Sequence, residues 1–204
     1  MKYYAVCITF LTLTLFLSAS AQKNSSALTE YSALEKVCQE SITSEKWEAA
    51  ERDCNAALAG SVTLPARYKR EKMHALDNYA FSLFSQSKFE LALKSFTRAL
   101  EIGKTFLSAS SAELGRAYFN VGRANQGMAS IEGRYIVPAE TNYLTAEKIY
   151  RAAYAVAADE KAKIKVKDSI SGTLVLLEYI ALMRGEDAKV KAIEARMAAL
   201  AKLK

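Results

Sequence analysis

The stretch LDNYAFSLFSQSKFELALKSFTRALEIG, residues Leu76 to Gly103, contains two amphipathic segments separated by a short polar turn. In each segment apolar residues recur every three to four positions, the spacing that places them on one face of an α-helix. Between the segments, Ser87 is followed three residues later by Glu90, a pattern typical of a capping box at a helix start. The stretch therefore predicts two antiparallel helices joined by a tight turn.

The second half of this pattern also occurs 42 residues earlier in the chain. A fixed offset shared by several positions predicts an internal repeat. A third copy begins near Ser110, where Glu113 again completes a capping-box pattern, but its second half arrives late, from Tyr143 onward. We therefore predict an insertion near residues 127–137, which would either make specific contacts or be a helix extension with a longer turn. The aligned positions of the first two copies are Trp47 with Phe89, Ala50 with Ala92, Cys54 with Phe96, and Ala57-Leu58 with Ala99-Leu100.

The repeated pattern resembles the tetratricopeptide repeat (TPR). That family has a small residue in the first helix, an aromatic residue at the start of the second helix, and then small and large residues in a set order. Here these positions are Ala80, Phe89, Ala92, Phe96 and Ala99-Leu100. The 42-residue spacing resembles the long-helix variety found in kinesin light chains. The resemblance implies an all-α fold, an antiparallel helix-pair solenoid or TPR-like superhelix of about eight helices.

The domain organisation follows from these patterns. We predict a signal peptide over residues 1–21, a flexible leader over 22–30 and TPR-like repeats over 31–158. The repeats occupy 31–64, 73–106 and 115–158, the last with the insertion near 127–137. A C-terminal capping helix pair over 159–204 would cover the open end of the array, as solenoids require.

The first residues have the composition of a secretory signal. Lys2 precedes an apolar run from Tyr3 to Leu17, and small residues follow at Ala19 and Ala21. This order of charge, apolar segment and small residues predicts export with cleavage after Ala21. An uncleaved membrane anchor is the alternative, but the apolar run is short for a bilayer span. We therefore predict a periplasmic or extracellular protein without stable membrane insertion after cleavage.

The composition disfavours several functional classes. The chain has 204 residues, a formal net charge of +6 and 25% charged residues. Its basic residues are interspersed with acidic ones, so we expect no nucleic-acid partner. The sequence shows no glycine-rich phosphate loop, nucleophile elbow or His/Cys metal cluster, and His74 is its one histidine. We therefore predict a protein that is not an enzyme, with no catalytic residue, metal or cofactor.

Two cysteines remain after the predicted cleavage, Cys38 and Cys54. In an exported protein an even number of cysteines favours a disulfide, which would close a 15-residue loop. The predicted helix register argues against it, because a turn near Ser44 and Glu45 places Cys54 opposite Leu34 and displaces Cys38 by about one helical turn. The second interpretation is therefore that both are small buried apolar residues.

The TPR resemblance also implies a binding surface, because the first helices of successive repeats line a concave groove in that family. The asparagines at 78 and 120 occupy the repeat position whose side-chain amide grips a peptide backbone. The aromatic rings at 81 and 119 would either anchor an apolar side chain of a ligand or pack against the neighbouring repeat. The implied groove residues are Lys36, Gln39, Asp77, Asn78, Phe81, Phe119, Asn120 and Arg123.

From these expectations we predict an exported scaffold that binds a protein or peptide partner in a preformed groove. Self-association through the repeat ends is compatible with this role. The alternative is an accessory small-molecule-binding or regulatory subunit of an envelope enzyme or transporter. The two differ in structure, because a scaffold needs a long open groove and a small-molecule site needs a deep pocket.

Overall fold

The computed structural model describes the backbone of residues 2–203 and the side chains of residue 22 and residues 24–203. The predicted signal peptide, residues 1–21, lies outside the described side chains and stays a prediction. Within the described parts of the helices, none is both long enough and apolar enough to cross a membrane.

The fold consists of eight α-helices and one short 3-10 helix, and residues 2–203 contain no strand. Each helix packs mainly against the helices next to it in the chain. The chain is thus an all-α array of antiparallel helix pairs, as predicted. The helices are α1 Lys2–Thr43, α2 Trp47–Val62, α3 Lys69–Ser85, α4 Phe89–Lys104, α5 Ala112–Ala129, the 3-10 helix Gly133–Tyr135, α6 Ile136–Ala155, α7 Glu160–Met183 and α8 Asp187–Ala201.

The structure shows what is formed by two segments for which the sequence made specific predictions. Residues 22–30, predicted as a flexible leader, belong to α1, and Ala27 and Leu28 pack against a buried cluster that includes Tyr31. The segment 127–137, predicted as an insertion, contains the end of α5, the 3-10 helix and the first residues of α6. Pro138 falls in the first turn of α6, where a missing N–H costs no helical hydrogen bond.

Small residues let paired helices approach closely. Ala80 of α3 and Ala92 of α4 are both fully buried, and they lie in one cluster with Phe96. In the next pair, Gly122 of α5 faces Tyr143 of α6, and a Cβ at position 122 would lie 2.7 Å from the tyrosine ring. The 42-residue offset therefore aligns two positions, Ala80 and Gly122, at which a small residue lets the partner helix pack closely.

Ion pairs join the last helix to α6. The Glu147 carboxylate is buried and accepts hydrogen bonds from Arg151 on its own helix and from Arg196 on α8, the latter at 2.7 Å. Glu140 binds Lys189 of α8 at 2.8 Å. Since α8 buries few apolar residues, these charged pairs help to fix its position over the end of the array.

The tight turns after α1, α3 and α7 share one geometry. Glu45, Ser87 and Gly185 have φ of 54°, 60° and 66°, in the left-handed region. The next residue then donates its N–H to a carbonyl five positions back, for example Lys88 to the Leu83 oxygen at 3.0 Å. This is the Schellman arrangement at a helix C-terminus.

The predicted capping boxes are wrong. Ser87 is the left-handed residue between α3 and α4, so its side chain cannot cap α4, whose N-cap residue is Lys88. The residue before α5 is Ser111 rather than Ser110, and it makes no side-chain capping bond. The turn is therefore determined by the C-terminus of the first helix and not by the N-terminus of the second.

We expect glycine to be favoured over other residues at these left-handed positions. Gly185→Ala should lower the free energy of unfolding by about 1 kcal/mol, because a Cβ is strained at positive φ. Ser87→Gly should raise it by up to about 1 kcal/mol for the same reason. Urea unfolding followed by circular dichroism measures both, and a destabilised Ser87→Gly variant would contradict this explanation of the turns.

Cys38 and Cys54 form a disulfide between α1 and α2, with their Cα atoms 4.6 Å apart. Both residues are completely buried. The predicted displacement of Cys38 by a helical turn is wrong, because counting residues outward from the turn does not capture how α1 and α2 pack, and the packing brings the two Cα atoms to this distance. The two side chains therefore lie at the same height along the helix pair.

Loss of this disulfide should lower the free energy of unfolding by about 3 kcal/mol, the chain-entropy value for a loop of this size. We expect this shift for the Cys38→Ala/Cys54→Ala double variant, in which alanine introduces no buried polar group. A reductant should destabilise the wild type by a similar amount and leave the double variant unchanged. An unfolding midpoint of the wild type that is insensitive to reductant would contradict the prediction.

Candidate functional site

Two open cavities lie where α3, α5 and α7, the first helices of three successive pairs, come together. One is formed near the N-terminal ends of these helices and the other near their C-terminal ends. We call them the polar cavity and the apolar cavity, after the side chains that line them. Of these three helices, α3 and α5 also carry residues that the sequence assigns to a groove.

The polar cavity has a volume of about 940 Å³ and carries most of the charged side chains of this surface. Glu113 is the shared acceptor, because its carboxylate lies 2.6 Å from His74 Nε2 and 3.2 Å from Arg70 Nε. Lys165 on α7 extends the positive charge across the cavity. The residues that line it are Arg70, His74, Ala112, Glu113, Arg116, Phe119, Asn120, Tyr150, Lys165, Val166, Asp168, Ser169 and Gly172.

Two carboxylate–amide hydrogen bonds connect the first helices of successive pairs. Asn78 of α3 donates to Glu35 of α1 at 2.6 Å, and Asn120 of α5 donates to Asp77 of α3 at 2.8 Å. The two acids, Glu35 and Asp77, are 42 residues apart, and so are the two asparagines. The two bonds are therefore equivalent in the repeat. The two asparagines thus each direct an N–H at a neighbouring helix, a use that the family resemblance did not suggest.

Asp77 is nearly buried in this network. Burial raises the pKa of its carboxyl above the usual value for aspartate, although the charge of Arg116 and the hydrogen bond from Asn120 act in the opposite direction. The nearest Arg116 nitrogen lies 3.4 Å from the carboxylate. The folded protein therefore holds a proton on Asp77 more readily than the unfolded chain does.

This shift predicts a pH dependence of stability. A raised pKa in the folded state contributes stability that is present below the ordinary aspartate pKa of about 4 and is lost as the pH rises through the folded-state value. As the pH rises above about 4, the wild type should therefore lose stability relative to Asp77→Asn, whose amide cannot ionise.

Urea unfolding of both proteins across this pH range tests the prediction, with Asp168→Asn as a control for an exposed aspartate beside the same cavity. A wild type that instead gains stability over Asp77→Asn as the pH rises would show that Arg116, and not burial, controls the pKa of Asp77.

The apolar cavity has a volume of about 560 Å³. Its inner wall carries Arg123, whose guanidinium carbon lies 4.4 Å from the centre of the Phe84 ring and 5.7 Å from that of Phe81. Burial lowers the pKa of Arg123. The lining residues are Phe84, Phe89, Arg123, Gln126, Gly127, Ala129, Ser130, Gly133, Ile136, Leu176, Tyr179, Met183 and Arg184.

The structure divides the predicted groove residues between several environments. Phe119 and Asn120 line the polar cavity and Arg123 lines the apolar one. The Phe119 ring also packs at 5.6 Å from Tyr143. The remaining five line neither cavity: Lys36 pairs with Glu40, Gln39 bonds to Glu35, Asp77 and Asn78 join helices, and Phe81 packs at 5.9 Å from Trp47.

Sequence reasoning missed the contribution of α7 to this surface. That helix was assigned to a terminal cap, yet Lys165 lines the polar cavity and Tyr179 and Met183 line the apolar one. The apolar residues of α7 at helical spacing were visible in the sequence. The cavities that this helix lines were not, because the other walls come from α3 and α5, which lie much earlier in the chain.

Among residues with described side chains, no group of three His, Cys, Asp or Glu is placed to hold a metal ion. Comparison with known proteins adds little to this geometry. No protein-family model matches the chain, and no curated protein matches its sequence. Among solved structures, the chain is similar to BtubC (BKLC) from P. vanneervenii, with 12% sequence identity, a TM-score of 0.47, and coverage of 88% of this chain and 90% of that one.

Proposed function

We propose that the chain is an exported scaffold of TPR-like helix pairs that binds a segment of a partner protein in the polar cavity. The observation that carries the proposal is the cavity itself, an open site of about 940 Å³ to which α3, α5 and α7 all contribute polar side chains. A site of this kind can hold an extended segment without rearrangement, which lowers the entropic cost of binding.

Charge supports an acidic partner segment. Arg70, Arg116 and Lys165 line the cavity against Glu113 and Asp168, and the whole chain has a formal net charge of +6. Arg70 and Arg116 form ion pairs with Glu113 and Asp77, which restrict their positions before a ligand arrives. Lys165 has no ion pair among the described residues and is exposed, so it remains available to a partner carboxylate.

Two features support export. The order of residues 1–21 is that of a secretory signal. In addition, Cys38 and Cys54 form a buried disulfide, a bond that persists in oxidising compartments outside the cytoplasm.

The experiment compares capture of partners by the wild type, by Lys165→Glu and by Lys94→Glu, each immobilised and exposed to an envelope extract. Lys94 is an exposed residue of α4 that lines neither cavity, so it provides a control with the same change of charge. We expect a partner that Lys94→Glu retains and Lys165→Glu loses. With that partner purified, Lys165→Glu should weaken binding about tenfold, and added salt should weaken wild-type binding.

Asn78 and Asn120 are unsuitable positions for this test, because their substitution breaks hydrogen bonds between helices. A partner retained equally by both lysine variants would move its site away from the polar cavity. Absence of any captured partner would contradict the scaffold proposal.

A second candidate function is that of an accessory small-molecule-binding subunit. The apolar cavity favours it, because about 560 Å³ with mostly apolar walls and few polar groups is typical of sites for small ligands.

A further inference from the structure

We propose that the apolar cavity binds a free, single-chain amphiphile with one carboxylate, whose hydrocarbon chain lies in the cavity and whose carboxylate binds Arg123. This site lies at the opposite end of the inner helices from the polar cavity, so it does not depend on the proposed partner binding there.

The walls suit a hydrocarbon chain. Phe84, Phe89, Ile136 and Leu176 contribute apolar surface from four different helices. Gly127 lets the Phe89 ring pack closely against α5, because a Cβ at position 127 would lie 2.5 Å from that ring. At the mouth, Tyr179 and Met183 of α7 leave 49% and 64% of their surfaces exposed. An apolar chain in the cavity would remove such surface from water, at a gain of about 25 cal/mol per Å².

The charge of the cavity suits one anionic group. Two arginines line it, Arg123 and Arg184, and none of its lining residues is acidic. Arg184 at the rim is already paired, at 2.9 Å from both Glu140 and Glu186. Arg123 has neither a carboxylate partner nor a hydrogen-bond acceptor among the described residues, and its guanidinium lies over the rings of Phe81 and Phe84. The cavity therefore holds one positive charge without a counter-charge.

A carboxylate fits this arginine better than a phosphate monoester does. Its single negative charge matches the single unpaired cation, whereas a phosphate monoester carries about two charges near neutral pH. A guanidinium also binds a carboxylate through two parallel N–H bonds, and the bond is strengthened where apolar walls exclude water. The volume of about 560 Å³ corresponds to a single small molecule, which favours a free amphiphile over a bilayer lipid.

The test is titration calorimetry of the full chain with monomeric dodecanoate, below the concentration at which it forms micelles. Dodecanol is the probe with the same chain and no charge. We expect saturable binding of one dodecanoate to the wild type. Arg123→Gln should weaken it about tenfold or more, because a charge-assisted hydrogen bond is lost, while the affinity for dodecanol should not change.

Further variants separate charge, geometry and location. Arg123→Lys keeps the charge but not the paired N–H geometry, so its affinity for dodecanoate should lie between those of the wild type and Arg123→Gln. Ala129→Phe should reduce binding of both probes by occupying the cavity. Lys94→Gln removes an equal charge from the outer surface and should bind as the wild type does. Circular dichroism of each variant establishes that it is folded.

Four outcomes would overturn the proposal. They are the absence of saturable dodecanoate binding, equal affinity of the wild type for dodecanoate and dodecanol, undiminished binding by Arg123→Gln, and undiminished binding by folded Ala129→Phe. Binding to phosphatidylglycerol vesicles but not to monomeric dodecanoate would also overturn it, in favour of a membrane surface. None of these results bears on partner capture at Lys165, so the two proposals can fail separately.

Discussion

The inner surface of this protein depends on hydrogen bonds between a carboxylate of one helix pair and an asparagine of the next. Glu35–Asn78 and Asp77–Asn120 join α1 to α3 and α3 to α5 at equivalent positions. Apolar contacts between adjacent helices tolerate some sliding, whereas a hydrogen bond to a carboxylate is lost when its atoms move by about an ångström. These two bonds therefore help to set the register of the inner helices, and with it the positions of the side chains that line the cavities.

This arrangement has an electrostatic cost at Asp77. Burial raises the pKa of its carboxyl, and Arg116 and Asn120 offset the penalty only in part. The same Arg116 also lines the polar cavity. A buried structural carboxylate thus fixes one of the cations that a ligand would meet, which connects the register of the helices with the charge of the proposed binding site.

The two cavities differ because charge is distributed unevenly along the inner helices. Near the N-terminal ends of α3, α5 and α7 the inner residues are mostly charged or polar, and Glu113 organises Arg70 and His74. Near the C-terminal ends they are mostly apolar, and Arg123 rests against two phenylalanine rings. One surface therefore carries two chemically distinct cavities, the polar one proposed to bind a protein segment and the apolar one proposed to bind a small amphiphile.

The features that the sequence alone determined are local or periodic. Helical spacing predicted the antiparallel pairs, and the 42-residue offset aligned Ala80 with Gly122, two positions that must be small because a partner helix packs on them. Local pattern failed at Ser87, where the capping signal was overridden by the left-handed ending of α3. It also failed for the cysteine pair, because the distance between the two cysteines depends on how α1 and α2 pack.

Only the tertiary structure decided which side chains share a site. The pairing of Asn120 with Asp77 leaves one apparent ligand-binding amide engaged between helices, and α7 brings Lys165, Tyr179 and Met183 to a surface formed by helices far earlier in the chain. Arg123 was a predicted groove residue, but its isolation from any described carboxylate became apparent only when its neighbours were in place. Helix periodicity is a property of neighbouring residues, whereas a cavity and its uncompensated charge depend on distances between segments that the sequence does not encode locally.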